Sequence, residues 1–200
     1  MILNTSAFNI RYISMSLSVT LLPVNVINYY AFSELLMYYD CIETELGNIM
    51  LLADHQGLRQ LSITSPSYSP NEIWQHNPEF MAPFIKQLKE YLIGSRKRFT
   101  FPLAPQGTLF QQQIWHAIAD VPYGETVTYE QIAANIGNTK ATQAIGMAKN
   151  VNPIPIVIPC HRVLNSHNSL CGYRYGEDIV ALLLALEAGD TILLEAHQND

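Results

Sequence analysis

Residues 153–159 read Pro-Ile-Pro-Ile-Val-Ile-Pro, and no other segment of the chain limits the local structure as strongly. Each proline lacks a backbone N–H and pushes the preceding residue toward extended geometry, so this segment cannot be helical. Its four other residues are apolar. We therefore predict a buried extended strand that delivers Cys160 at its end.

Cys160, His161 and Arg162 follow this segment directly. A free thiol has a pKa of about 8.5, so it needs a base or a positive neighbour to become a reactive thiolate at neutral pH. His161 is a candidate base, and a bridging water is expected because neighbouring side chains of an extended stretch point apart. Glu187 is the candidate that orients the imidazole, since a lone charge on an apolar helix would be costly unless paired.

Two other interpretations of these residues stay open at this point. A Cys-His pair also occurs by chance or as part of a packed core. Metal binding is disfavoured because no further ligands lie at zinc-like spacing, so we predict no metal.

The charge pattern divides the chain. A net charge of -6 argues against a general nucleic-acid binder, because affinity for phosphate comes from clustered Lys and Arg. Between Gln131 and Gly176, however, there is no Asp or Glu. The basic residues in that stretch are Lys140, Lys149, Arg162 and Arg174. A locally basic surface is predicted there, and a chance gap in the acids is the alternative.

The three cysteines, Cys41, Cys160 and Cys171, form no C-x-x-C pair, which indicates a reduced cytoplasmic protein with free thiols. The apolar residues 12–27 are too interrupted by serine and proline for a membrane span, and a secretory signal is not evident. We expect residues 1–36 to be an atypical extension, with Met37 as the true start.

The periodicity of the first half predicts a small antiparallel sheet followed by a helix. Pro83 is placed in the first turn of that helix and Gly94 at its end. The predicted strands cover residues 39–46, 49–53 and 58–63, with residues 98–103 as a candidate fourth strand.

The second half is predicted to be mostly helical. Thr108 and Thr128 each precede a glutamine at the Thr-x-x-Gln spacing of a capping box. Thr139 is expected to cap a helix that runs to about Lys149, and the intervening Gly-Asn turn suggests a helix-turn-helix. A final helix over residues 178–187 is apolar nearly all round and is predicted to be buried.

These elements predict an α+β fold with an antiparallel-sheet domain over residues 37–104 and a mostly helical, winged-helix-like domain over residues 105–190. Residues 105–107, Pro-Gln-Gly, are the predicted linker, and residues 191–200 a tail.

The run from Pro159 to Val163, together with residues 152–158, resembles the active-site signature of the O6-alkylguanine-DNA alkyltransferases. The similarity continues through residues 110–115, 122–129 and 172–176, and it covers about residues 38–189. The Gly-Tyr-Arg-Tyr-Gly run is most similar to the methyltransferase half of the bacterial adaptive-response protein. The resemblance implies a ribonuclease H-like first domain and a DNA-binding second domain.

The resemblance also implies a reaction. Cys160 would accept the alkyl group from O6-alkylguanine, and His161 would take the thiol proton through water. Glu187 would hold His161, and Asn152 would support the loop. Because the product is a stable thioether, each molecule would act once, without a cofactor.

The substrate would be a guanine rotated out of double-stranded DNA, since a thiolate cannot reach an alkyl group inside a stacked duplex. Tyr129 would assist the rotation and donate to the base, and the carbonyls of Cys160 and Val163 would accept from its exocyclic amine. Acceptance of O4-alkylthymine stays open. The other residues assigned to the pocket are Tyr173, Arg174 and Lys149.

The helix that begins near Thr139 would enter the minor groove of the DNA. The residues assigned to DNA contact are Thr128, Lys140, Thr142, Gln143 and Arg162. Gln143 stands where the family usually has an arginine that fills the gap left by the rotated base. We therefore expect weaker duplex binding than in typical members.

Three alternatives remain beside this interpretation. A non-catalytic lesion-binding relative would lack the acceptor cysteine, which is retained here as Cys160. An inactive copy is suggested by Gln143 and the amino-terminal extension. A cysteine hydrolase would need an oxyanion hole, which is not evident near the motif. A cytoplasmic monomer that acts on alkylated duplex DNA, without a membrane, is the expectation.

Overall fold

The computed structural model describes residues 36–165 and 173–189. The predictions for Cys171 and for the tail therefore lie outside the described residues. So does the predicted amino-terminal extension, apart from its last residue, Leu36. The domain boundaries stay predictions. The α+β class is confirmed, with a sheet and one helix in the first part and a mostly helical second part.

The first part is built on a four-stranded sheet of order β3-β2-β1-β4. Strands β1 (Tyr38–Thr44), β2 (Gly47–Asp54) and β3 (Gly57–Thr64) form the predicted antiparallel meander, and β4 (Gln75–His76) pairs parallel with β1. The central strand β2 is buried along most of its length, so it carries the core of this part.

Residues 98–103 do not form the candidate strand. They contact the sheet through a single bridge between Leu58 and Leu103, where Leu58 N–H donates to the Pro102 carbonyl at 2.9 Å. Pro102 itself has no N–H, so a regular ladder cannot continue there. Gly57 permits this close approach, because a Cβ on it would lie 2.4 Å from the Pro102 oxygen.

Helix α1 (Pro78–Leu92) begins earlier than predicted. The Asn77 side chain accepts from the Phe80 N–H at 3.0 Å, and Pro78 occupies the first turn, where a missing donor costs nothing. Pro83 therefore lies inside the helix rather than at its start. The predicted end is confirmed, since Gly94 takes a positive φ of 73° just beyond it.

Three helices open the second part: α2 (Leu109–Ala119), α3 (Tyr129–Asn135) and α4 (Thr142–Asn150). Both predicted capping boxes are present, at Thr108 and at Thr128. Helices α3 and α4 pack against each other, as a helix-turn-helix requires. The Trp115 indole on α2 donates to the Ala148 carbonyl at 3.0 Å and fixes α4 on the core.

The prediction that Thr139 caps α4 is wrong. Ala141 occupies the cap position without a side-chain hydrogen bond, because residues 138–141 form a turn in which Ala141 N–H donates to the Asn138 carbonyl at 3.0 Å. The helix can begin only after that turn closes.

Residues 153–159 are buried as predicted, but they do not form a strand. Ile158 N–H donates to the Ile154 carbonyl at 2.8 Å, and Ile156 has a φ of 72°, so the segment folds into a tight turn. The N–H groups of Ile154 and Ile158, two of the four that the prolines leave, donate to the Asn152 side chain and to the Ile154 carbonyl rather than to a neighbouring strand. Cys160–Arg162 form a 3-10 helix directly after the turn, followed by β6 (Val163–Leu164), which pairs parallel with β5 (Val127–Thr128).

Helix α5 (Glu177–Ala188) ends the described chain. It buries one stripe, which consists of Val180, Leu183, Leu186 and Glu187. The helix is therefore buried along one face only, whereas its nearly continuous apolar sequence predicted a buried helix, since one face is enough to cover the core beneath it. Within the two described ranges, no helix has the length and apolarity needed to cross a membrane.

The two threonines predicted as caps provide a matched test. Thr108→Ala removes the oxygen that accepts from the Gln111 N–H, so we expect the free energy of unfolding to fall by about 1 kcal/mol. Thr139→Ala removes an exposed side chain that caps nothing, and we expect a change below about 0.5 kcal/mol. Urea denaturation measures both values, and equal losses would contradict this assignment of the caps.

Candidate active site

The candidate site is assembled from three separate segments. Cys160 and His161 lie on the 3-10 helix, Asn152 lies just after α4, and Glu187 lies near the end of α5. All four side chains are buried. The structure thus brings together the four residues predicted as catalytic.

Asn152 shapes the turn that carries the cysteine. Its side-chain amide donates to the Ile158 carbonyl at 2.9 Å and to Cys160 Sγ at 3.2 Å, while its oxygen accepts from the Ile154 N–H at 3.0 Å. The Asn152 side chain therefore makes hydrogen bonds to two backbone groups of the turn and also places a donor next to the sulfur. A donor in that position stabilises a thiolate relative to a thiol.

Cys160 nevertheless rests as a thiol. Burial raises its pKa, and the hydrogen bond from Asn152 and the positive charge of Lys149 oppose this effect only in part. Tyr173 also lies near the sulfur, although its hydroxyl makes no well-formed hydrogen bond within the described residues. Reaction therefore requires a base.

His161 is arranged as that base. Its Nε2 lies 2.8 Å from the Glu187 carboxylate. Since an ionised carboxylate only accepts, Nε2 carries the proton, and Nδ1 is the acceptor of the neutral ring. Burial lowers the pKa of His161 despite the carboxylate beside it. Nδ1 has no hydrogen-bond partner among the described residues.

Glu187 is ionised because of the donors around it. Burial alone would raise its pKa, but hydrogen bonds from His161 and Arg162 outweigh burial and lower the pKa to about 2. Arg162 Nε and Nη2 lie 2.8–3.1 Å from the carboxylate oxygens. The Tyr91 hydroxyl and the Gly124 N–H donate to the same carboxylate.

The assignment of Arg162 to a DNA-binding surface is wrong. Its guanidinium is buried against Glu187, and Nη1 also donates to the Val121 carbonyl at 2.6 Å. Tyr91, which lies on the buried face of α1, was not predicted from the sequence. The apolar pattern of this helical face does not indicate that the tyrosine hydroxyl on it donates a hydrogen bond to a carboxylate distant in sequence.

Lys149 is also interior rather than superficial. Only 5% of it is exposed, and Nζ donates to the Val163 carbonyl at 2.7 Å and lies 3.4 Å from the Tyr129 hydroxyl. The predicted basic surface is therefore reduced, within the described residues, to Lys140 and Arg174.

The cavity beside Cys160 is narrow. It has a volume of about 10 Å³, which is at the lower limit of what one water molecule needs. It gathers Cys160 and Asn152 with three residues predicted to line the pocket: Lys149, Tyr173 and Arg174. Tyr129 and Val163 join them through the hydrogen bonds of Lys149. A purine therefore requires this cavity to open.

The outer face of α4 combines polar and apolar side chains. Gln143 is exposed, and Met147 and Val151 follow it at four-residue spacing with 61% and 51% of their surface exposed. Thr142 is half-buried, and Thr128 is half-buried and engaged in its capping box. Met147 and Val151 were not predicted from the sequence, although their spacing from Gln143 places them on one helical face.

The described residues contain no group of three or more His, Cys, Asp or Glu side chains arranged to hold a metal ion.

Comparison with known proteins finds the same family in both parts of the chain. The family model described as 6-O-methylguanine DNA methyltransferase, ribonuclease-like domain, matches residues 37–105. The model described as 6-O-methylguanine DNA methyltransferase, DNA binding domain, matches residues 109–189.

Relatives and solved structures cover the same region. A methylated-DNA–protein-cysteine methyltransferase of Methanosarcina acetivorans is 44% identical over 153 residues, which are 76% of this chain and 98% of the relative. The crystal structure of Mycobacterium tuberculosis O6-methylguanine methyltransferase is similar with a TM-score of 0.71 and 35% identity, covering 78% of this chain and 94% of that one. A crystal structure of Mycobacterium tuberculosis OGT in complex with DNA gives a TM-score of 0.70 at 35% identity, covering 76% and 94%.

The buried Cys-His-Glu arrangement therefore lies within a chain whose two parts both match one protein family. This chain belongs to the 6-O-methylguanine DNA methyltransferase family.

Proposed function

We propose that this protein repairs DNA by transferring a methyl or larger alkyl group from O6 of guanine to Cys160, once per molecule. The observation that carries the proposal is the buried constellation in which Asn152 donates to Cys160 Sγ and Glu187 binds His161. It lies in a chain of this family and beside a helix-turn-helix. The substrate is alkylated guanine in double-stranded DNA, and the protein acts as a monomer.

The reaction begins with a proton transfer. The Cys160 thiol gives its proton to His161 Nδ1 through a bridging water, because the thiol makes no direct hydrogen bond to the ring. The imidazolium that forms is stabilised by the Glu187 carboxylate at Nε2. The sulfur becomes a thiolate, stabilised by the Asn152 amide.

The thiolate then attacks the alkyl carbon in line with the carbon–oxygen bond. A carbon–sulfur bond forms, the carbon–O6 bond breaks, and its electron pair stays on guanine. Tyr129 donates a hydrogen bond that stabilises the departing base, which takes up a proton from water to become neutral guanine, while His161 returns to water the proton that it took from the thiol. The thioether of Cys160 has no good leaving group, so the thiol is not regenerated and no cofactor takes part.

The exposed face of α4 is the proposed contact with the minor groove. Met147 and Val151 are large apolar side chains of the kind that proteins insert between base steps to bend DNA. Gln143 lies on the same face and fills the gap that the rotated nucleotide leaves. Tyr129, close to the cavity, assists the rotation itself.

A reducing compartment suits this chemistry. The thiol of Cys160 must stay free until it meets its substrate, and Cys41 is a second free cysteine among the described residues. We therefore place the protein in the cytoplasm.

The identity of the acceptor is tested by mass analysis. On incubation with an oligonucleotide that carries O6-methylguanine, we expect the Cys160 peptide to gain one methyl group, and Cys160→Ala to abolish transfer. Cys41→Ser serves as the control, because it removes an exposed thiol and should leave transfer unchanged. A gel shift without modification would indicate a lesion-binding protein instead. If the oligonucleotide is neither bound nor demethylated, the protein is an inactive copy.

Glu187 is tested through stability and pH. Its pKa of about 2 lies below the ordinary value of 4.5, so the ionised group stabilises the fold above about pH 5. That contribution is lost as the pH falls through 4.5 toward 2. Glu187→Gln leaves the Arg162 charge buried without its counter-ion, so we expect about 3 kcal/mol less stability at pH 7 and a weaker acid dependence.

Urea denaturation between pH 7 and pH 3 measures this effect, with the exposed Glu72→Gln as the control. We also expect Glu187→Gln to slow transfer by roughly 10²-fold, because the imidazolium loses its stabilising charge. A Glu187→Gln protein with the acid dependence of the unaltered chain would refute this role.

Gln143 is tested by restoring a cation. Gln143→Arg adds a charge-assisted hydrogen bond in the minor groove, so we expect duplex binding to tighten by roughly tenfold, with a steeper salt dependence. Gln106→Arg adds the same charge at an exposed position outside α4 and should have a much smaller effect. Fluorescence anisotropy with a labelled duplex measures both variants. Equal gains would mean that only net charge matters.

A further inference from the structure

Lys149 occupies an unusual position for a lysine. All five lysines of the chain lie in the described residues, and Lys149 is the buried one. Its Nζ bridges the Val163 carbonyl at 2.7 Å and the Tyr129 hydroxyl at 3.4 Å, and it lies 5.4 Å from the centre of the Tyr129 ring. The side chain also lines the cavity beside Cys160.

The two partners of Lys149 are groups that the family resemblance assigns to the base. The Val163 carbonyl would accept from the exocyclic amine of guanine, and Tyr129 would donate to the ring. The Cys160 carbonyl, the other assigned acceptor, already accepts from the Val163 N–H. In the free protein, the edge of the pocket that should read the amine is therefore filled with a donor.

The ammonium is not easily displaced from this carbonyl. A buried charge that loses its acceptor pays the cost of desolvation, whereas an incoming amine is a neutral and weaker donor. Burial lowers the pKa of Lys149, and a thiolate at Cys160 would oppose this effect. Nζ can donate to the Val163 carbonyl in either protonation state, so titration does not free the acceptor.

We propose that Lys149 is a specificity-determining residue that keeps the Val163 carbonyl occupied when the base is bound, so that this protein does not read the exocyclic amine of guanine. The inference rests on the proposed function and refines its substrate class. The edge of the pocket then offers hydrogen-bond donors from Lys149 and Tyr129. This edge can bind an O-alkylated base that presents acceptors to it, including a base that lacks the exocyclic amine.

The test compares two methylated purines that differ only in the amine. Duplexes carry O6-methylguanine or O6-methylhypoxanthine opposite an abasic site, so that base pairing does not differ. We measure the rate constant of methyl transfer to Cys160 for each and take their ratio. In Lys149→Met, the freed carbonyl should read the amine, and the ratio should rise in favour of guanine by roughly three- to tenfold relative to the unaltered protein.

The comparison between proteins removes the intrinsic reactivity of the two bases, because that factor is the same for both. Lys89→Met, on the exposed side of α1, is the matched control and should keep the original ratio. Equilibrium binding is a second measurement, made on a protein in which Lys149 is kept. A Cys160→Ala protein should bind the two duplexes with affinities that agree to within about twofold.

The outcomes separate the two proposals. An unchanged ratio in a folded Lys149→Met protein, or clearly tighter binding of the guanine duplex by Cys160→Ala, would overturn the role of Lys149 and leave the proposed function intact. If the unaltered protein transfers methyl from neither duplex, the proposed function fails and this inference fails with it.

Discussion

The carboxylate of Glu187 receives donors from distant parts of the chain. Tyr91 reaches it from α1, Gly124 from the loop before β5, and His161 and Arg162 from the 3-10 helix. A buried charge is tolerated only when its lone pairs are satisfied in this way. The hydrogen bond from Tyr91, which joins α1 of the first part to α5 of the second, therefore reaches the same carboxylate that orients His161. A change in the packing of α1 would therefore alter the orientation of His161, through Tyr91 and Glu187, without a direct contact to Cys160 Sγ.

Cys160 and the proposed base, His161, are both held in their uncharged forms. Burial keeps Cys160 protonated and His161 neutral, so the resting site holds a thiol beside an unprotonated ring. A protein that reacts once gains from this state, because thiolates are the species that oxidants attack. Asn152 and Lys149 lower the cost of forming the thiolate without forming it in advance.

The sequence predicted those features that depend on near neighbours. The capping boxes at Thr108 and Thr128 follow from a three-residue spacing, and the need of the Glu187 charge for a partner follows from the apolar residues around it on the helix. Features that depend on distant partners were predicted poorly. Arg162 and Lys149 resemble surface cations in the sequence, because burial is set by a carboxylate 25 positions away and by a carbonyl 14 positions away. The prolines excluded a helix before Cys160 but could not choose between a strand and a turn.

Burial of these two cations changes how DNA can be held. With a net charge of -6, the protein gains little from long-range attraction, and the acid-free stretch exposes Lys140 and Arg174 within its described part. In the proposed complex, affinity comes from close contact, where Met147 and Val151 offer apolar surface for insertion between base steps. Insertion of this kind costs less in DNA that is already easy to distort. A base pair weakened by the lesion would lower that cost in the proposed complex.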